Sequence, residues 1–159
     1  MHQNLMVGLY APTLAKELSS NRPKEIKLSL GNRDLHYFSL PNEKGLEALL
    51  ATLDQAEKKV QLSLFTFTHP LLVEKLIELH KKGVKVCVKL DGTTAEGASR
   101  KAREMLEKEG IKVKISKGRE LFHHKWAEVD KKIFIIGSAN WTKSAFNKNR
   151  DFILFINNK

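Results

Sequence analysis

The chain has 159 residues, 42% hydrophobic and 29% charged, which is typical of one soluble globular domain. It carries 28 Lys and Arg against 18 Asp and Glu, and this formal charge of +10 favours a polyanionic partner. A basic surplus that serves only solubility is the alternative. The one cysteine, Cys87, excludes a disulfide within these residues and a cysteine-based zinc site, and no apolar run is long enough for a transmembrane helix.

The N-terminal part is irregular, whereas the remainder alternates between strand and helix signals. Residues 1–33 show no sustained period and are expected to form an N-terminal arm of undetermined role, with a short strand over 25–30. Residues 34–159 are expected to form the functional domain, an α/β fold with a mixed sheet flanked by helices. The predicted strands cover 35–40, 60–67, 84–90, 111–115, 124–129, 132–136 and 151–156, and the predicted helices cover 46–53, a segment from Pro70, 98–106 and a short turn after Asn140.

The segment from His123 to Asn140 has the pattern H-x-K-x4-D-x6-G-S-x-N. His123 and Lys125 are two residues apart in an extended segment, so both side chains leave the same face of the sheet. The intervening His124 points to the other face and is interpreted as structural. The pattern therefore places a nucleophile or acid beside a fixed cation.

The end of the pattern adds polar groups at a bend. Gly137 allows a tight turn at the end of a strand, and Ser138 and Asn140 then offer a hydroxyl and an amide. Together with Lys125, these two side chains are candidate ligands for the non-bridging oxygens of a phosphate group.

The chemistry that suits these residues is cleavage of a phosphodiester. A histidine can attack phosphorus and form a covalent phosphoenzyme, and a second histidine can protonate the leaving oxygen and then activate water. The sequence has no internal repeat and supplies one such histidine, His123. A two-fold homodimer would bring two copies of it to one site.

The pattern resembles the HKD motif of the phospholipase D superfamily. The stretches FHHKWAEVD from Phe122 and GSANWT from Gly137 are similar to the mitochondrial Zucchini-type proteins, and residues 35–157 also resemble the bacterial Nuc-type endonucleases. The resemblance implies a homodimer with its active site at the subunit interface and a reaction that needs neither metal nor cofactor. It implies that His123 is catalytic, that Lys125, Ser138 and Asn140 bind phosphate, and that Asp130 and Gly137 are structural residues of the motif.

One position departs from the family pattern. Members of the family commonly have glutamate eleven residues after the motif asparagine, where it orients the catalytic histidine, and this chain has Asp151 there. Aspartate can take the same role if the backbone lies closer by about one methylene group. Asp151 is therefore a third candidate catalytic residue, and a structural role at the start of a strand is the alternative.

A possible track for a nucleic-acid backbone lies on the third predicted helix. Arg100, Lys101 and Arg103 lie on the predicted helix 98–106, and further basic residues follow it. A solvated basic helix face explains the same residues equally well.

Three functions fit the sequence. The first is a nuclease of low sequence specificity on DNA or RNA. The second is a phospholipase D or cardiolipin hydrolase, for which anionic phospholipid would be the partner, and the third is a non-catalytic nucleic-acid-binding member of the fold. The compartment is undetermined, and export or membrane association through a leader outside these residues stays open.

Overall fold

The computed structural model describes residues 4–21 and 24–159 and has an α/β fold built on one mixed sheet, as the sequence predicted. The strands are β1 (Glu25–Leu30), β2 (Arg33–Ser39), β3 (Lys59–Leu64), β4 (Lys85–Leu90), β5 (Val113–Ile115), β6 (Lys125–Val129), β7 (Ile133–Gly137) and β8 (Phe152–Asn158). The helices are α1 (Pro12–Asn21), α2 (Glu43–Asp54), α3 (Pro70–Lys81), α4 (Gly92–Glu96), α5 (Arg100–Lys108) and α6 (Lys143–Asn147).

The strand order brings both parts of the motif to the same end of two central strands. The eight described strands lie in the order β1-β2-β8-β7-β6-β3-β4-β5, with β4 parallel to both β3 and β5 and the other pairs antiparallel. Lys125 at the start of β6 is opposite Leu64 at the end of β3, and Gly137 at the end of β7 is opposite Ile153 in β8. The two motif strands therefore place residues 123–125 and residues 137–140 at the same end of the sheet, which we call the motif edge.

Two apolar clusters lie on opposite faces of the sheet. The larger one packs helices α2, α3, α5 and α6 on one face, where Leu49, Leu76 and Leu106 are fully buried. The smaller one packs Ala11, just before α1, and Leu14 of α1 on the opposite face of β2, β8 and β7. Among the described residues, no helix is both long and apolar enough to cross a bilayer.

The N-terminal arm contains the strand that the sequence predicted over 25–30 and a helix that the sequence pattern did not show. Glu25–Leu30 pairs with β2 along its whole length, so the expected boundary between residues 33 and 34 falls inside a β-hairpin of the same sheet. Residues 12–21 form a helix with its proline in the first turn, where proline lacks only an N–H that has no helical partner. Residues 1–3 and 22–23 of the predicted arm lie outside the described residues.

The helix predicted over 98–106 begins later and has a separate short helix before it. Gly97 ends α4 with φ −109° and ψ −114°, a conformation outside the helical region. Ser99 is the N-cap residue of α5. Its buried hydroxyl accepts a hydrogen bond from the backbone N–H of Phe67 at 2.9 Å. This contact ties the start of α5 to the edge of the sheet that carries the motif.

Candidate active site

Asp130 fixes the hairpin between the two motif strands. It and Lys131 have positive φ angles of 52° and 58°, which suits a two-residue hairpin turn. The Asp130 carboxylate accepts backbone N–H bonds from residues 57, 58 and 59 at 2.7 to 2.9 Å. Burial opposes ionisation, but these three bonds outweigh it and lower the pKa of the Asp130 carboxyl. The carboxylate lies at the end of β6 away from His123, in agreement with a structural role.

His123 and Lys125 converge, as the two-residue spacing predicted. The Lys125 Nζ lies 3.0 Å from the His123 Nε2. The ring of Phe65 lies beneath both groups, with its centroid 4.8 Å from the imidazole centroid and 5.4 Å from the Lys125 Nζ. In the neutral imidazole with its proton on Nδ1, Nε2 accepts from the ammonium, so its lone pair and the cation point to the same place.

The environment of Lys125 favours loss of a proton from its ammonium group. Burial of the side chain lowers the pKa of the Lys125 ammonium, and the negative charge of Asp151 partly opposes this shift. A cation that has lost part of its hydration interacts more strongly with a phosphoryl oxygen than an exposed one does. The half-buried position therefore favours phosphate binding at this lysine.

His124 belongs to a packed aromatic group on the other side of the strand. Its ring stacks on Phe122 at a centroid distance of 4.1 Å, and its Nδ1 accepts from the indole N–H of Trp126 at 3.1 Å. Burial, followed by the nearby positive charges of Lys89 and Lys125, lowers the pKa of the His124 imidazole and so favours the neutral ring. These contacts agree with the structural role expected for it.

Ser138 is bound to Asp151, a relationship that the sequence did not reveal. The Ser138 hydroxyl donates to the Asp151 Oδ1 at 2.6 Å and accepts from the backbone N–H of Phe152 at 3.1 Å. Gly137 makes this approach feasible, because a Cβ built there would overlap the carbonyl oxygen of Phe152. Asp151 therefore lies at the motif edge, as expected, and contacts Ser138. Its predicted orienting role towards His123 stays a prediction.

Asn140 is held against the loop that follows β3. Its Oδ1 accepts from the backbone N–H of Thr66 at 3.4 Å, which leaves the NH2 end of the amide as the donor. The next residue, Trp141, is buried and forms a backbone bridge with Phe67. The position of the amide is thus fixed by the backbone on both sides of it.

Asp91, outside the motif, is a further residue of the site region. Its side chain is 1% exposed. One carboxylate oxygen accepts from the N–H groups of Thr93 and Thr94, and the other accepts from the N–H of Phe122 at 2.8 Å. A buried aspartate at the end of β4 therefore anchors the residue just before His123. Its signal in the sequence is the Asp-Gly-Thr that follows the predicted strand 84–90, a place where ligand loops are common in α/β sheets.

A groove of about 190 Å³ brings four of the candidate residues together, whereas Asn140 and Asp151 are not among its lining residues. It is lined by His123, Lys125, Gly137 and Ser138, together with Trp126 and residues of the N-terminal segment. A second hollow continues past Ser138 between that segment and β8, lined by Met6 and Phe152 among others. Within residues 4–21 and 24–159, no three His, Cys, Asp or Glu side chains are grouped so that they could hold a metal ion.

The predicted basic track on α5 is partly neutralised by carboxylates. Arg100 pairs with Glu104 at 2.9 Å, whereas Arg103 pairs with Glu96 and, at 3.8 Å, with Glu107. The Arg103 side chain is also largely buried, and Lys101 is exposed. The charge that this track offers to a ligand is therefore lower than the sequence indicates.

Comparisons with known proteins agree with this geometry. A family model described as "Cardiolipin synthase, PLD-like domain" matches residues 49–159. Mouse mitochondrial cardiolipin hydrolase is 39% identical over 120 residues, which cover 74% of this chain and 53% of that protein. The chain spans about half the length of the mouse protein and of two other curated mitochondrial cardiolipin hydrolases that it matches.

Solved structures show the same fold. Nuc from Salmonella typhimurium, a phospholipase D family member, superimposes with a TM-score of 0.74 at 26% identity, over 79% of this chain and 84% of Nuc. NucT from Helicobacter pylori gives a TM-score of 0.70 at 25% identity, over 79% and 86% of the two chains. The chain therefore belongs to the phospholipase D superfamily, as a PLD-like domain whose 159 residues carry one copy of the HKD motif.

Proposed function

We propose that this protein is a phosphodiesterase that cleaves nucleic acid with little sequence preference, through a phosphohistidine formed at the interface of a homodimer. The observation that carries the proposal is the 3.0 Å approach of the Lys125 Nζ to the His123 Nε2, inside a groove that Ser138 also lines. A nucleophilic nitrogen and a cation directed at one point are what attack on a phosphate diester requires.

In the first step, the His123 Nε2 of one subunit attacks phosphorus. A P–N bond forms as the bond from phosphorus to the leaving oxygen breaks, and His123 of the partner subunit donates a proton to that oxygen. Lys125 moves from the imidazole to a non-bridging oxygen, and the Asn140 NH2 donates to another. The Ser138 hydroxyl joins them once it turns away from Asp151.

In the second step, water replaces the histidine. The partner's His123 now removes a proton from water, the hydroxide forms a new P–O bond, and the P–N bond breaks. The products are an alcohol and a phosphate monoester, and both histidines return to their first state. Two lysines and two asparagines per site would supply the charge stabilisation, so we propose that no divalent metal takes part.

The test is hydrolysis by purified protein in EDTA of single-stranded DNA, single-stranded RNA, duplex DNA and a small chromogenic phosphodiester. Wild type should cleave a single-stranded substrate and the small diester, and His123→Asn should cleave none of them while it keeps its fold. Activity that EDTA abolishes and magnesium restores would contradict the metal-free proposal. An equally active His123→Asn protein would overturn the role of His123.

A second candidate is hydrolysis of cardiolipin or another anionic phospholipid. It is favoured by the names of the curated relatives and by the N-terminal segment beside the groove, where Met6 is 94% exposed. An apolar side chain beside a phosphodiester site suits insertion among acyl chains. If lipid is the substrate, Met6→Ser should slow turnover of cardiolipin vesicles and leave the small diester unaffected. Unchanged vesicle turnover would count against this candidate.

A further inference from the structure

One face of the sheet is only partly covered. Over β1, β2, β8 and β7 it packs against α1 and the segment before it, whereas over β3, β4 and β5 no apolar cluster of the described residues covers it. A concave surface of about 770 Å³ lies there. Five lysines line it and define what we call the lysine face: Lys59, Lys85, Lys89, Lys112 and Lys114.

The strand register places these lysines in rows. Lys59 lies opposite Lys85, and Lys89 lies opposite Lys114. Residues two apart on a strand share a face and are separated by roughly 6.6 Å, so Lys85 and Lys89 are about 13 Å apart along β4. The lysine face therefore spreads positive charge along the strands and across them.

The charges on this face are not cancelled by carboxylates. In the part of the chain that the structure describes, none of the five lysines forms an ion pair with an acidic side chain, and Lys59 donates to the amide oxygen of Gln61. Glu128 lies beside Gln61 on the same face, and Glu107, near β5, pairs with Arg103. Five cations against one neighbouring glutamate leave a net positive surface.

The lysine face reaches the groove through an aromatic pair, because Phe122 stacks on His124 and His124 lines the groove together with His123. The Lys89 Nζ lies 4.2 Å from the centroid of the Phe122 ring, and Phe122 directly precedes His123. From this continuity and the charge, we propose that the lysine face binds the sugar–phosphate backbone of single-stranded nucleic acid and guides the strand to His123. The proposal rests on the proposed function and names the surface that holds its substrate.

A flexible single strand fits this surface better than a membrane does. The apolar residues that line the hollow, Leu62, Val86 and Val88, are at most 6% exposed, so they have nothing to insert into a bilayer. The large exposed hydrophobic side chains among the described residues all lie elsewhere, for example Met6 and Tyr10. A positively charged groove that follows the backbone is the usual means of binding single strands.

The test compares two triple variants in a His123→Asn background, which prevents cleavage during binding. The first is Lys85→Gln, Lys112→Gln and Lys114→Gln, which spares Lys89 because it contacts Phe122. The control removes the same charge from exposed lysines on α1, before β1 and on α5, through Lys16→Gln, Lys24→Gln and Lys108→Gln. Binding of a fluorescent 20-nucleotide single strand is measured by anisotropy over a range of salt concentrations, beside binding to vesicles that contain anionic lipid.

We expect the first triple variant to flatten the slope of log K against log salt by about 2, since each lost phosphate contact removes about 0.7. The control should change the slope by less than half as much. With His123 restored, the first triple variant should hydrolyse the small diester at the wild-type rate. That rate, and its loss in His123→Asn, tests the proposed function separately.

Three results would overturn the inference. The first is an equal slope of log K against log salt for the His123→Asn protein and the first triple variant. The second is an equal flattening of that slope in both triple variants. The third is binding to anionic vesicles without binding to the oligonucleotide. If the wild type cleaves the diester and any of these results appears, only the lysine face is refuted.

Discussion

The buried carboxylate of Asp91 accepts a 2.8 Å hydrogen bond from the backbone N–H of Phe122, the residue before His123. The other oxygen of the same carboxylate caps α4 through Thr93 and Thr94. One side chain thus joins the end of β4 to the start of the motif. Because no water reaches it, the bond to Phe122 is costly to leave unmade.

We predict that Asp91→Asn lowers kcat on the small diester by about 10- to 100-fold with little change in KM. Asparagine can keep its oxygen towards α4, where it caps as well as aspartate does. Its NH2 then faces the N–H of Phe122, so the hydrogen bond to Phe122 is lost because both groups are donors. Unfolding free energy should fall by about 1–3 kcal/mol.

Ser116→Ala is the matched control for this variant. The Ser116 hydroxyl accepts from the N–H of Gly92 at 2.9 Å, so its loss disturbs the same loop without touching Phe122. It should cost stability and leave kcat near the wild-type value. A similar loss of kcat in both proteins would show that Asp91 acts only through the loop.

We predict that Asp151→Asn shifts the alkaline limb of the pH–rate profile to lower pH. Burial lowers the pKa of Lys125 below its ordinary 10.5, and Asp151 raises it in part. Removing that negative charge lowers the pKa further, so the ammonium is lost at a lower pH. Ser138→Ala, which keeps the charge of Asp151, should slow the reaction without moving this limb. A limb that does not move in Asp151→Asn would exclude Lys125 as the titrating group.

We predict that Asp130→Asn destabilises the fold by about 2 kcal/mol at pH 7, because the carboxylate accepts three backbone N–H groups. Asparagine tolerates the positive φ of this turn, so backbone strain does not contribute. The folded pKa of Asp130 is lowered, so its stabilisation is fully present above the unfolded pKa near 3.9 and is lost as pH falls through the folded value. Urea unfolding should show a difference between the proteins that is constant from pH 5 to 7 and shrinks below pH 4. A difference that persists at pH 2 would contradict this.

We predict that Gly137→Ala prevents the pairing of β7 with β8 at the motif edge. The new Cβ would overlap the Phe152 carbonyl oxygen, so the strands must separate, at a cost of about 3 kcal/mol or more. Gly8→Ala is the control, because the added methyl group meets nothing within 4 Å, and it should have the melting temperature of the wild type. Equal melting temperatures for the two variants would refute the clash.

Local patterns were enough to predict most of the domain. Alternation in β4 and the leucine spacing of α2 indicated their elements directly, and the two-residue spacing of His123 and Lys125 predicted their approach. These features depend on residues that are close in sequence.

Features that depend on distant residues were not predictable in the same way. The Ser138–Asp151 and Asp91–Phe122 bonds join residues 13 and 31 positions apart, and only the assembled sheet brings them together. The lysine face was not predicted as one surface because its members come from β3, β4 and the segment that contains β5, and the sequence did not reveal the order of these strands. Helix α1 was missed because only Leu14 and Leu18 mark its apolar side, and Leu14 is buried by the sheet that β1 extends.

The central claim is that two copies of His123, one from each subunit, form one active site. The most direct measurement is the small-diester activity of dimers reassembled from wild-type and His123→Asn chains in varied proportions, with total protein held constant. If each site needs both histidines, activity follows the square of the wild-type fraction, which is about one quarter of full activity at equal amounts. Activity that falls in direct proportion to the wild-type fraction would show that a single chain suffices and would contradict the account.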